Sequence, residues 1–209
     1  MVSKISWFVP IAVSILGVGA SLTPVTAQTT FDYSATFDGI SLRSLIPPDI
    51  AEISYEGESD DASLGLNQLN ALLYSQVDPT TGEAILNTNP NIFGVDRPNG
   101  SFVLQGNGDD KIFASVDSTG LVNFETGIET LTGTVNILGG EGRFSDAQGS
   151  LSLGGTVVID LEPNVPEPTQ ITVNGSFTVS KSVPEPSTLV TLIGLGVTGA
   201  SAMFKRHLI

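Results

Sequence analysis

Gly133-Thr134-Val135-Asn136-Ile137-Leu138-Gly139-Gly140-Glu141-Gly142-Arg143-Phe144-Ser145-Asp146-Ala147-Gln148-Gly149-Ser150-Leu151-Ser152-Leu153 is the stretch that decides how the centre of this chain folds. Both flanks alternate. Val135 and Ile137 take turns with Thr134 and Asn136, and Leu151 and Leu153 with Ser150 and Ser152. A period of two sends successive side chains to opposite faces of a strand, so one apolar face is buried while a polar face meets water. The glycines between the flanks supply positive φ and close backbone approach. Phe144 and Ala147, three residues apart, are spaced to pack inward from one short turn. The segment reads as strand, one helical turn, strand.

The same rhythm extends outward. Residues 31–37 (FDYSATF) form a short strand that meets a turn signal at Asp38-Gly39, and residues 53–55 form another. Residues 101–105 run into Gly106-Asn107-Gly108-Asp109-Asp110, a turn, after which residues 111–116, 120–124 and 156–161 continue the pattern. Ile171-Thr172-Val173 and Ser176-Phe177-Thr178-Val179 read as a closing hairpin about Asn174-Gly175. Pro47-Pro48 and residues 163–168 are expected as loops. Residues 62–74 resist, because leucines at 64, 66, 69, 72 and 73 fit a helical face or a buried loop equally. Helices for parallel crossovers are missing. The expectation is an all-β fold, a single antiparallel β-barrel or sandwich.

The two ends differ from the middle. Lys4 precedes an uncharged apolar run over residues 5–22, and Val25-Thr26-Ala27 places small residues where signal peptidase needs them. Residues 1–27 therefore read as a signal peptide, a helix cleaved between Ala27 and Gln28. Residues 188–204 (TLVTLIGLGVTGASAMF) carry no charge over 17 positions. As a transmembrane helix they span roughly 25 Å, and the basic stop at Lys205 and Arg206 stays cytoplasmic. The remaining domain, residues 28–182, holds 21 carboxylates against 5 basic side chains, a net charge of −16. That sign excludes nucleic acid and anionic lipid as partners. The absence of cysteine removes disulfides and thiolate metal sites.

Immediately before the apolar span stands Val183-Pro184-Glu185-Pro186. A Pro-Glu-Pro triplet, a short apolar helix and a basic end, in that order over residues 183–209, resemble the PEP-CTERM sorting signal of Gram-negative or cyanobacterial proteins. The resemblance implies processing by an exosortase after signal peptidase has acted. It also implies transient anchoring in the inner membrane, then a place in the periplasm, on the outer surface or in the extracellular matrix, with exopolysaccharide as an associated polymer. Val165-Pro166-Glu167-Pro168-Thr169 repeats the triplet, but Gln170 and Asn174 follow it, with no apolar span and no basic end. The GGxGxFxxAxG stretch made of Gly139, Gly140, Gly142, Arg143, Phe144, Ala147 and Gly149 is similar to one in allene oxide cyclase and dirigent-like β-barrels. That likeness implies a barrel in which the stretch joins two strands.

Chemistry is sparse. The one histidine, His207, lies in the tail, so the domain cannot build a Ser-His-Asp device. Asp60-Asp61 and Asp109-Asp110 are adjacent in sequence and point in different directions, unlike the facing carboxylates of glycosidases. Residues 106–110 lack EF-hand spacing and read as a plain turn. Tyr33, Tyr55 and Tyr74 read as core, and Arg43, Arg97 and Arg143 as surface. No catalytic residue, metal or cofactor is expected. The leading expectation is a non-catalytic, exported cell-surface or extracellular-matrix protein. Alternatives are a secreted β-barrel binding a small apolar ligand and, third, an isomerase or cyclase like the resembled barrels.

Overall fold

The computed structural model describes residues 26–160 and 165–182, which belong to one compact unit, Thr26–Val183. The signal segment up to residue 25 and the expected transmembrane helix with its flanks lie outside the described residues. Among the described residues no helix is long and apolar enough to cross a membrane.

Nine strands carry the fold: β1 Thr26–Ile46, β2 Ile50–Glu58, β3 Gln68–Val77, β4 Glu83–Asn87, β5 Ser101–Gln105, β6 Lys111–Asn123, β7 Ile128–Glu141, β8 Ala147–Val158 and β9 Pro166–Ser182. They form one antiparallel sheet in the order β2-β1-β9-β8-β7-β6-β4-β3-β5, with further pairings of β2 to β3 and of β5 to β6. These last two contacts close the sheet on itself. β4 and β5 share one position between β3 and β6: β4 covers Tyr74 to Val77 of β3 and β5 covers Gln68 to Leu72. The result is a ring of eight strand positions. Thr88 bridges the gap where β4 gives way to β5. Its backbone N–H donates to Val116 O at 3.2 Å, and its Oγ1 accepts from Val116 N at 3.2 Å.

Alternation explains the strands and the core together. In β6 every second residue from Ile112 to Val122 faces inward and is buried. Tyr33, Phe37, Tyr55, Leu69, Phe102, Leu104, Val135, Leu151, Val173 and Phe177 fill the interior from the other strands. A ring of eight strands is about wide enough for side chains to fill it. Each buried tyrosine has an acceptor for its hydroxyl: Tyr33 donates to Leu66 O at 2.9 Å, Tyr55 to Phe37 O at 3.1 Å and Tyr74 to Pro98 O at 2.9 Å.

Four expectations are corrected by the pairing. Asn174-Gly175 is no hairpin turn. β9 continues through it, with Gly175 opposite both Tyr33 and Leu151, and the φ of 148° at Gly175 is one where a side chain would be strained. Asp38-Gly39 likewise lies within β1, which continues to Ile46 and pairs first with β9 and then with β2. Residues 166–168 of the expected proline loop are the opening of β9, paired with Leu42, Ser41 and Ile40. Residues 62–74 are neither helix nor loop throughout: after a 3-10 turn at Ser63–Gly65 they enter β3.

The turn at residues 106–110 is present, closed by Gly106 N–H donating to Asp110 O at 2.9 Å. Between β7 and β8 the expected short turn is a 3-10 turn, Gly142–Phe144.

Candidate functional site

The inward phase of β1 runs through Tyr33, Ala35, Phe37 and Ser41 and then reaches Arg43. On β7 the phase of Ile137, Val135 and Leu131 carries Glu129 inward, and on β9 the phase of Val173, Ile171 and Thr169 carries Glu167 inward. Three charged side chains thus meet inside an apolar ring. Glu167 is fully buried, Glu129 is 1% exposed, and the Arg43 side chain is 11% exposed. Arg43 is therefore an interior residue, against the expectation that placed it on the surface; Arg97 and Arg143 are exposed.

The two carboxylates are held differently. Glu167 Oε1 accepts from Arg43 Nε at 3.3 Å and from the backbone N–H of Asp160 at 3.2 Å, while its Oε2 accepts from Ser41 Oγ at 3.2 Å. This is the pattern of a solvated anion rebuilt from protein groups. Glu129 has no such shell. Arg43 Nη2 stands 3.6 Å from its Oε2, beyond hydrogen-bond reach, and neither carboxyl oxygen accepts a hydrogen bond. Burial pushes the Glu129 carboxyl above its ordinary range; the Arg43 charge opposes that shift and the Glu167 charge adds to it. Gly120 makes room for this group, since a Cβ there would overlap Glu129 Oε1.

An interior cavity of about 40 Å³ lies against this cluster. Arg43, Glu129, Ser41 and Thr169 line it together with Leu131, Leu153 and Ile171, and its walls are almost wholly apolar. At roughly one probe sphere per water it admits two or three waters, far below the few hundred Å³ of a typical small-molecule pocket. Arg43 also floors a more open depression of about 300 Å³, walled by Leu45, Ala51, Val77, Val122, Phe124 and Ile159. The depression sits at the end of the ring where β1 turns into β2 and β6 turns into β7.

The opposite end is plugged by the glycine-rich stretch. Phe144 and Ala147 are fully buried, and Phe144 stacks edge-on with Phe31 and Phe177 at centroid distances of 5.7 Å each. Arg143 lies over the Phe144 ring at 5.1 Å. It also pairs through Nε with Asp110 Oδ2 at 2.7 Å and donates through Nη2 to Leu64 O at 2.8 Å. Gly142 leaves space for the Asp110 carboxylate, and Gly140 for the backbone at Lys111 and Phe144. Gly139 and Gly149 have φ of 152° and 141°. The stretch is an end plug built by packing, and it presents no chemistry. Among the described residues, no group of three or more His, Cys, Asp and Glu side chains is placed to hold a metal.

The first residues of β1 and the last of β9 pair at this plugged end. Ala27 and Gln28 lie in β1 opposite Lys181 and Ser180 of β9, and Thr26 pairs with Ser182. Val183, Pro184, Glu185, Pro186, Lys205 and Arg206 lie outside the described residues. Residues 182–206 match the PEP-CTERM protein-sorting motif. The match begins at the last residue of β9, so the sorting tail starts where the sheet stops. The PEP-CTERM motif marks an exported chain that passes the membrane for sorting and is processed by exosortase. No curated protein and no solved structure matches the chain, and the likeness to allene oxide cyclase and dirigent-like barrels has no support from these comparisons.

The internal triplet Pro166-Glu167-Pro168 has become structure. Its two prolines flank a glutamate buried in the ring, in strand pairing with β1. Sequence reading missed the cluster of Arg43, Glu129 and Glu167, although each is in phase with apolar neighbours two residues away. Extending that phase past the turn-like Asp38-Gly39, back along β7 to residue 129, and through the two prolines would have found them.

Proposed function

We propose that the chain is a non-catalytic, cell-surface or extracellular-matrix protein whose acidic domain, a small β-barrel, is delivered outward by its sorting tail. The single observation behind this reading is the PEP-CTERM match over residues 182–206. Two features of the domain fit it. Among the described residues the inside of the ring is filled, leaving a cavity of about 40 Å³. The net charge of −14 on the whole chain keeps such a domain soluble among like-charged surface polymers. Exopolysaccharide in the matrix is the natural neighbour. Detecting the domain on intact cells, with and without the host exosortase, tests the reading. Accessible domain in the wild type and membrane-retained precursor in the deletion support it; identical fractionation in both would sink it.

A second reading is a secreted barrel that binds a small apolar molecule. The depression of about 300 Å³ beside Arg43 favours it, since its volume reaches the lower range of ligand pockets and its walls are apolar. A thermal-shift screen of apolar compounds separates the two, because a ligand at 100 times its Kd adds about 2.7 kcal/mol. An isomerase or cyclase is third; the cavity that Glu129 lines, about 40 Å³, is too small for a substrate.

A further inference from the structure

We propose that the interior of the ring is a binding site for one proton, held on Glu129 of β7, so that the folded domain carries a neutral carboxylic acid in its apolar interior. The charge count leads there. Glu129, Glu167 and Arg43 enclose one cation and two carboxylates, an uncompensated negative charge in an apolar interior. Such a charge is expensive unless something neutralises it.

Neutralisation falls on Glu129. Glu167 takes the hydrogen bonds of Arg43 Nε, Ser41 Oγ and Asp160 N–H that an anion requires. Glu129 takes none, though 1% exposed, and faces Arg43 only at 3.6 Å. The groups around it offer no further charge. β6 presents Ser118 and Gly120, and β8 presents Val157. β1 brings Arg43, β9 brings Glu167, and β2 brings Tyr55, whose hydroxyl donates to Phe37 O. Calcium or magnesium in place of the proton would need about six or more oxygen ligands, and the cavity walls are almost wholly apolar. A protonated carboxyl carries no net charge and needs only one acceptor for its O–H.

The sign of the pH effect follows. Burial raises the Glu129 carboxyl, so the folded chain binds this proton more tightly than the unfolded chain. The stabilisation is present in full below the unfolded range near 4.5 and is lost as the pH rises through the folded-state value. Each unit between the two values is tenfold in the folding constant.

The test uses the full chain in neutral detergent and compares wild type with Glu129→Gln, which keeps shape and hydrogen bonding but cannot ionise. Infrared difference spectra at neutral pH should show a protonated-carboxyl stretch in the wild type that is missing in Glu129→Gln. Titration to alkaline pH should remove that band and lower the wild-type unfolding midpoint, leaving the variant's midpoint level over the same range. No band in the wild type, or parallel midpoint profiles for both proteins, overturns the proposal. If Glu129→Gln fails to fold, the wild-type band and its loss on titration decide the matter alone.

Discussion

Arg43 Nε of β1 donates to Glu167 Oε1 of the neighbouring strand β9 at 3.3 Å, while the same guanidinium reaches Glu129 at 3.6 Å without a hydrogen bond. One cation therefore serves two buried carboxylates unequally. Replacing it with an apolar chain of similar length leaves Glu167 a buried anion without its cation. Arg43→Met should destabilise the domain by about 3–5 kcal/mol, read from urea unfolding. Arg43→Met combined with Glu129→Gln and Glu167→Gln should recover most of that loss, because no uncompensated charge remains.

At the plugged end, Phe144 is fully buried against Phe31 and Phe177. Phe144→Ala leaves a cavity in a place the surrounding strands cannot close, and should cost about 3–5 kcal/mol. Calorimetry will show it as a lower Tm. Arg143→Ala at the exposed edge of the same plug should cost far less.

Acid should act at a different place from alkali. The backbone N–H of Arg143 and then its side chain hold the Asp110 carboxyl below its ordinary range, and the Ser59 hydroxyl and Thr36 N–H do the same for Asp61. Groups with lowered values stabilise the fold above their unfolded range and lose that contribution as the pH falls through the folded value. Thermal unfolding followed on the acid side should therefore be steeper for wild type than for Asp110→Asn. The alkaline side should be untouched by that substitution.

Much of the fold was legible from a period of two. β6, β7 and β8 emerged in part, where alternation holds, as in Val135 and Ile137 or Leu151 and Leu153; residues 111–116 and 120–124 fall on one strand, β6, which ends at Asn123, and residues 150–153 and 156–158 belong to one strand, β8. The strands that were cut short failed for a local reason. Asn174-Gly175 and Asp38-Gly39 carry strong turn chemistry, and in isolation each would turn. Here they lie inside β9 and β1, whose pairing with each other runs unbroken from Thr26 opposite Ser182 to Leu42 opposite Pro166. Seventeen residues of β9 outweigh one dipeptide's preference. The interior charges were hidden by the same cuts. Once β1 stops at Asp38, the phase that brings Arg43 inward is lost, and once residues 163–168 are a loop, Glu167 has no face at all. The sorting motif was legible from the sequence, because its parts are chemical types in a fixed order and need no tertiary context.

Hydrogen exchange distinguishes the two readings of Asn174-Gly175. As the middle of a strand flanked by β1 and β8, residues 171–179 should exchange as slowly as the slowest part of the sheet. A two-residue insertion after Asn174 should abolish folding, whereas a true hairpin tip would tolerate it.

The intact mass of the mature protein from its native host tests the central claim most directly, with wild type compared to a variant carrying alanines at Pro184, Glu185 and Pro186. Signal peptidase cleavage and exosortase sorting predict a wild-type chain that begins at Gln28 and ends near Pro186, and a variant that keeps its tail. A wild-type chain that still contains residues 204–209 would contradict the account, and so would one trimmed at the internal triplet 166–168.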